Sequence, residues 1–344
     1  VGIQLRTWSQ ANYGEDLVIN PRGGGLYYWA NNANPSIFDR AEKLSPTSTG
    51  IYQTDSACPS ACNFVMVSDA SRFVLAFGAT PLGDTVLDPL LVRWSDQEDY
   101  STWFHAITNQ AGDYRLSQGS GIVMAMQTRQ EVLVWTDTAL YSMQYQGAPF
   151  VWGFQPMASN ITVAGPNAAV VVNDATYWMG ANAFYAYNGR VQPLPCSLHQ
   201  YVFGDFNFSQ SYQVTAASNA AFHEVWWFYC SAKSARVDRY VVYNYLENIW
   251  YYGTMARTSW LDSGQRGQPI ATGYDGALVY HEVGTDDGEL VAPRAIKAYI
   301  QSADADIDAG GSFGFVTRLL PDLSFDGSTA PAPKVTFGIR PRQF

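Results

Sequence analysis

His105, His199, His223 and His281 are the only histidines in the chain. None forms a His-x-x-x-His pair. His223-Glu224 runs on into Val225-Trp226-Trp227, so the zinc-hydrolase helix motif is absent. His281-Glu282 stands beside Gly284 and Asp286-Asp287, where a buried or turn-stabilising pair is expected. Cys58 and Cys62 are close enough in sequence for a local disulfide, whereas a zinc site would need two further ligands. Cys196 and Cys230 supply no familiar metal spacing. No Gly-x-Ser-x-Gly elbow occurs. Gly23-Gly24-Gly25 lacks the Lys-Ser/Thr of a phosphate loop and reads as a turn between strands. Asp16, Asp137, Asp174 and Asp275 occupy comparable hairpin turns, which side-chain capping explains without chemistry. A glycosidase needs two carboxylates at a defined separation, and these spacings define none. Arg239 and Arg257 lie beside aromatic strands, placed to pair with acids or to stack on rings. Ala303 to Asp308 alternates apolar residues with Asp but lacks EF-hand spacing. The sequence therefore assigns no catalytic residue, no cofactor-binding residue, no metal ligand and no cofactor, and the chain is expected not to be an enzyme.

Composition bounds the scaffold that carries these groups. The 344 residues are 47% hydrophobic and 15% aromatic, enough for a large core. Charged residues make up 15%, against the roughly 25% of an average soluble domain. That balance suits either protein contacts or a neutral all-β surface. A net charge of −10 argues against tight wrapping of nucleic acid. An acidic channel through which DNA slides remains compatible with it. No run of apolar residues reaches the length of a membrane-spanning helix. The chain opens on Val1, not Met, inside an expected strand, as a processed or partly covered chain would.

The clearest pattern lies between Ile122 and Pro193. Short runs rich in β-branched and aromatic residues recur at 121–126, 131–137, 139–145, 168–172, 176–179 and 183–187, most of them ending at Asp, Asn or Gly. They predict antiparallel strands joined by tight turns. The same pattern places strands at 3–8, 17–20, 26–29, 64–67, 73–77, 90–94, 222–229, 241–245, 248–252, 269–272 and 278–281. Later strands are expected at 296–300, 313–319 and 335–339. Thr102 to His105 reads as an outer strand and Asn109 to Gly119 as a polar linker. Tyr28, Arg93, Tyr141, Tyr185, Tyr243 and Tyr280 mark comparable strands at intervals of 65, 48, 44, 58 and 37 residues. The spacing predicts an all-β fold, a β-propeller of about six blades of antiparallel strands. A two-sheet sandwich is the alternative. The chain reads as one domain over 1–344, with inserted loops near 31–60 and 284–293. A helical turn is expected around Ala41 to Leu44. Ile3 to Trp8 and Val335 to Ile339 are candidates for closing the ring.

Several longer strings carry a family resemblance. Trp8 to Leu17, Asn20 to Trp29, Val134 to Tyr145, Pro149 to Phe154, Gly165-Pro166-Asn167 and Tyr177 to Gly180 resemble tailed-phage virion proteins. Leu194 to Cys196, Glu224 to Tyr229, Asp238 to Tyr245, Arg257 to Trp260 and Pro269 to Gly273 extend the likeness along nearly the whole chain. The set is similar to the tail hub or nozzle proteins of short-tailed phages. The resemblance implies a propeller in a homo-oligomeric ring, a hexamer, around the DNA exit channel. It implies a structural protein of the virion tail, assembled in the host cytoplasm, that joins portal or tail adaptor to distal tail, spike or fibre proteins. Transient, non-specific passage of viral double-stranded DNA and a part in genome retention and ejection follow from it, as does a further region ahead of Trp8. A carbohydrate-binding tail adhesin and a propeller glycoside hydrolase are the alternatives.

Overall fold

Strands that must bury both faces cannot alternate apolar with polar residues, and runs such as Val132–Thr136 and Glu224–Tyr229 do not. A computed structural model shows where the two faces go. It describes residues 7–31, 40–69, 71–262 and 267–284, and beyond them 296, 299–300, 317–326, 328 and 331–340. The chain divides into two compact units, 1–284 and 285–344.

The first unit contains six antiparallel sheets, each built from strands consecutive in sequence. Blade 1 holds β1 (Trp8–Tyr13), β2 (Asp16–Pro21), β3 (Tyr27–Trp29) and β4 (Glu42–Lys43). Blade 2 holds β5 (Cys62–Val67), β6 (Val74–Ala79), β7 (Leu91–Trp94) and β8 (Gly112–Arg115). Blade 3 holds β9 (Ile122–Gln127), β10 (Val132–Thr136), β11 (Ala139–Gly147) and β12 (Val151–Ser159). Blade 4 holds β13 (Ala169–Val172), β14 (Ala175–Met179), β15 (Phe184–Tyr187) and β16 (Val191–Leu194). A short helix, α1 (His199–Gly204), and a 3-10 segment (Phe208–Gln213) lead into blade 5. Blade 5 holds β17 (Thr215–Asn219), β18 (Glu224–Tyr229), β19 (Arg239–Asn244) and β20 (Ile249–Gly253). Blade 6 has three strands among the described residues, β21 (Ser259–Leu261), β22 (Ile270–Thr272) and β23 (Leu278–Tyr280). The first strand of a blade lies against that of the next, β1 beside β5, β5 beside β9, β13 beside β17 and β17 beside β21. This is a six-bladed β-propeller, and the sandwich alternative is excluded.

Aromatic rings fill the spaces between blades. On β10, Val132 and Val134 join the core shared with blade 2, while Leu133 and Trp135 join the core shared with blades 4 and 5. On β18, Val225, Trp227 and Tyr229 face one core and Trp226, Phe228 and Val242 of β19 belong to the other. Trp135 meets Trp178 edge-on at 5.5 Å, Phe184 meets Trp227 at 4.8 Å, and Trp226 stacks on Trp260 at 5.6 Å. Hairpins turn where Asn and Asp tolerate positive φ, as at Asn173 (47°) and Asp174 (66°) between β13 and β14.

Several sequence expectations move. The markers Tyr28, Arg93, Tyr141, Tyr185, Tyr243 and Tyr280 fall on the third strand of each blade. Among the described residues the first strand is Trp8–Tyr13, which overlaps the expected 3–8 only at Trp8; residues 3–6 lie outside the described residues. The segment around Ala41 to Leu44 is not helical: Glu42–Lys43 pairs with β3 as the outer strand of blade 1, so part of the expected 31–60 insertion belongs to a blade. The outer strand of blade 2 is β8, inside the expected linker, and Thr102 to His105 forms no strand. The strand expected at 335–339 is absent, so the ring-closing role given to that segment is not seen; 285–293 and 313–316 lie outside the described residues.

Candidate functional site

The strongest chemical feature is a charge in the middle of a strand. Arg93 sits on β7 between Val92 and Trp94, opposite Ala76 on β6 and Asp113 on β8. It is 2% exposed. Its Nη1 donates to the Thr80 carbonyl at 3.2 Å and its Nη2 to the Trp103 carbonyl at 3.5 Å. No ion pair to Arg93 forms among the described residues. The two acids whose charges act on it also have other partners. Asp113 lies 3.3 Å from His105 Nδ1. Asp55 accepts backbone N–H bonds from Ala57, Trp103 and Phe104. Burial lowers the Arg93 pKa, and the charges of Asp113, its neighbour across the strand pair, and of Asp55 counter this only in part.

Arg93 lines a cavity of about 380 Å³ on the side of blade 2 that meets the end of blade 1. Its walls are residues 43–46, which continue β4, the connection 56–60, and the loop after β6. Lys43 and the hydroxyls of Ser45, Ser60 and Thr80 share this lining. Lys43 forms no ion pair among the described residues. Its stem lies over Gly25, where an added Cβ would stand 2.6 Å from Lys43 Cε and 3.3 Å from the Ser60 carbonyl oxygen. Only glycine lets the lysine lie this close to the backbone. Cys58 also borders the cavity, and burial pushes its thiol up to about 12. Cys58 and Cys62 are both free thiols, so the local disulfide does not form.

A second arginine joins the blades. Arg22 follows β2 and reaches blade 3, where Nη1 donates to Val123 O at 2.9 Å and Nη2 to Ile122 O at 3.2 Å. Asn63 O of blade 2 lies 3.5 Å from Nη1, and the guanidinium sits over the Tyr212 ring at 5.5 Å. Carbonyls and a ring face take up this cation, so its role is a brace between blades 1, 2 and 3 and the segment before blade 5.

A third polar site of about 260 Å³ lies where the 128–131, Asp174 and 187–189 turns meet. Glu131 accepts from Tyr187 at 2.6 Å, from Gln144 at 3.2 Å and from Ser142. Arg129 pairs with Asp174 at 3.1 Å, but both are largely exposed, so the pair contributes little.

The remaining sequence-named groups are structural. His281 Nε2 accepts from Arg257 Nε at 2.8 Å, and burial, with the Arg257 charge, lowers its pKa to about 4. Glu282 accepts from Asn219 at 3.2 Å. Arg239 pairs with Asp205 at 3.4 Å. His199 contacts the Asn182 carbonyl at 2.7 Å, and His223, with φ of 60°, lies 3.4 Å from Tyr245 Oη. Asp275 accepts from Ala277 N within its own turn, as turn-capping predicts, whereas Asp137 accepts from Ser120 ahead of β9, outside its turn. Asp16 instead reaches out of its turn to Tyr28 and Asn31. No group of three His, Cys, Asp or Glu among the described residues could hold a metal ion.

No family model matches the sequence, and no curated protein matches it. Similar solved structures include Hsv2 of the yeast Kluyveromyces marxianus, with 7% identity, TM-score 0.44 and coverage of 80% of this chain and 74% of that one. A candidate 6-phosphogluconolactonase of Bacteroides uniformis has 9% identity, TM-score 0.48 and coverage of 80% and 83%. BamB of Moraxella catarrhalis has 11% identity, TM-score 0.40 and coverage of 79% and 81%. At these identities the likeness concerns the fold alone. The expected phage tail hub or nozzle is withdrawn: the similar solved structures are a yeast Hsv2, a candidate lactonase and a BamB, which are not virion proteins. The physical reason is that the strings carrying the resemblance are blade-packing strings. Trp135, Trp178 and Trp227 are fully buried between blades, which is a general use of tryptophan in a propeller. The expectation that the chain is not an enzyme is withdrawn too: a candidate lactonase is among the similar structures, and that likeness assigns this chain no activity.

Proposed function

We propose that this propeller is a recognition module for a small anionic ligand, bound in the blade 2 cavity. The observation that carries this reading is the Arg93 guanidinium, 2% exposed, lining a cavity and without an ion pair among the described residues. Moving a cation out of water costs several kcal/mol, and a paired or well-bonded anion offsets that cost. The 3.2 Å bond to Thr80 O offsets part of it, and the 3.5 Å contact with Trp103 O adds little. A ligand anion in the cavity completes the charge balance, and its contacts are the stronger for lying away from water.

Thermal unfolding tests the reading. Phosphate, sulfate and acetate are compared with chloride at constant ionic strength, in the wild type and in Arg93→Met. A ligand at about one hundred times its Kd adds about 2.7 kcal/mol, a rise of roughly 5 °C for a domain of this size. The variant keeps only the general salting effect of excluded anions. Equal shifts in both proteins, or no shift in either, would overturn the assignment.

A further inference from the structure

The chemistry of the cavity narrows the anion further. We infer that it takes the dianionic phosphoryl group of a small molecule, held by Arg93 and Lys43 with the Thr80 hydroxyl as a further donor; this rests on the anion-binding reading above.

The donors outnumber what a carboxylate can accept. Arg93 presents a planar fork of N–H groups and Lys43 an ammonium with three. Thr80 is 1% exposed. Its Oγ1 accepts from Ser60 N at 2.9 Å and from Ser60 Oγ at 3.3 Å, which leaves its own proton to donate. Ser45 and Ser56 add hydroxyls to the same lining. A phosphoryl group offers three strong acceptor oxygens and close to two charges. A carboxylate offers two oxygens and one charge. Two lysine- or arginine-type cations in one cavity match the phosphoryl group better.

The acid in the same lining sets the orientation. Asp84 is an exposed carboxylate that accepts from Thr85 N at 2.6 Å and Val86 N at 3.0 Å, and these bonds lower its pKa. It stays ionised at neutral pH and repels negative charge. The phosphoryl group therefore belongs at Arg93, and the part of the ligand beside Asp84 is neutral or cationic. Pro46, Pro59 and Pro81 also line the cavity. Their fixed φ angles restrain its walls before the ligand arrives, which lowers the entropic cost of binding. The volume exceeds that of a bare phosphate and lies within the range of small-molecule sites.

Isothermal titration calorimetry separates the outcomes. The probes are glycerol 3-phosphate, inorganic phosphate and lactate, at pH 5 and pH 7.5. Glycerol 3-phosphate binds at least about tenfold more tightly than lactate. Its affinity rises between pH 5 and 7.5, because the second ionisation of a phosphoryl group falls near pH 6. Lys43→Met weakens the ester severalfold. Gly25→Ala does the same without removing a charge, because its Cβ displaces the lysine stem. These two variants keep the test open if Arg93→Met fails to fold. Preference for the ester over inorganic phosphate identifies a phosphomonoester, and equal affinity identifies free phosphate; both support a phosphoryl site. Lactate binding as tightly as either, with dependence on Arg93, overturns the inference and leaves the anion reading standing. No binding of any probe overturns both.

Discussion

Replacing Arg22 with Met tests whether one side chain braces three blades. The variant keeps the aliphatic stem and removes the fork. It loses a charged hydrogen bond of 2.9 Å to Val123 O and one of 3.2 Å to Ile122 O. Bonds from a charged donor contribute about 1.5–3 kcal/mol each when well made. The 3.5 Å approach to Asn63 O adds little at that length. The ring contact with Tyr212 adds about 1 kcal/mol. Burial opposes these gains, as the lowered Arg22 pKa shows. The cation is only partly desolvated, so roughly half of the gross 4–7 kcal/mol survives and the net loss is about 2–3.5 kcal/mol. Equilibrium urea unfolding followed by tryptophan fluorescence reads this as a midpoint lowered by about 1 M at a slope of about 2–3 kcal/mol/M. Arg22→Lys restores the charge without the fork and recovers less than half. A loss below about 0.5 kcal/mol in Arg22→Met, or full recovery in Arg22→Lys, would refute the brace.

Three further outcomes follow from buried groups. The His281 pKa is lowered to about 4 from 6.5, so the folded state holds the neutral ring and its contribution is lost as pH falls from about 6.5 towards 4. Unfolding titrations should show an acid-limb loss of up to about 3 kcal/mol that His281→Gln lacks; identical limbs in the two proteins contradict the assignment. Trp135→Ala, which opens a void at the contact with Trp178, should cost about 3–5 kcal/mol by urea unfolding, and a cost under about 1 kcal/mol would mean that the seam relaxes. With a thiol reagent at pH 7.5, Cys58 (about 12), Cys230 (about 12) and Cys196 (about 11) should react slowly in the native state. All four thiols should be counted after unfolding without reductant; a count of two would show that Cys58 and Cys62 are joined.

The inner three strands of blades 2, 3 and 4 were legible because both faces are buried, which makes continuous apolar runs such as Leu133-Val134-Trp135. The outer strands were not, except β20 of blade 5. Gly112–Arg115 is mostly exposed and polar, and Val191–Leu194 carries Pro193, a residue at home on a sheet edge. Val151–Ser159 was hidden by Gly153 and Pro156, and Thr215–Asn219 by small residues. The first strand of blade 6, Ser259–Leu261, is too short to show a period. The candidate site was missed although its signal was present. Arg93 interrupts Leu90-Leu91-Val92 and Trp94, and a lone charge inside an apolar run means a buried cation in need of partners. Which partners it lacks depends on Asp55 and Asp113 being committed elsewhere, and that is a fact of three dimensions.

Because every sheet among the described residues is built from neighbouring strands, none of these strands waits for a distant part of the chain to pair with it. Low sequence separation within each sheet favours fast local closure. At a synthesis rate of about 5–20 residues per second, a newly made blade emerges from the ribosome every few seconds, with one wall of its aromatic seam already standing on the blade before it. The ring can therefore grow in the order of translation, each blade covering the apolar face that its predecessor left bare.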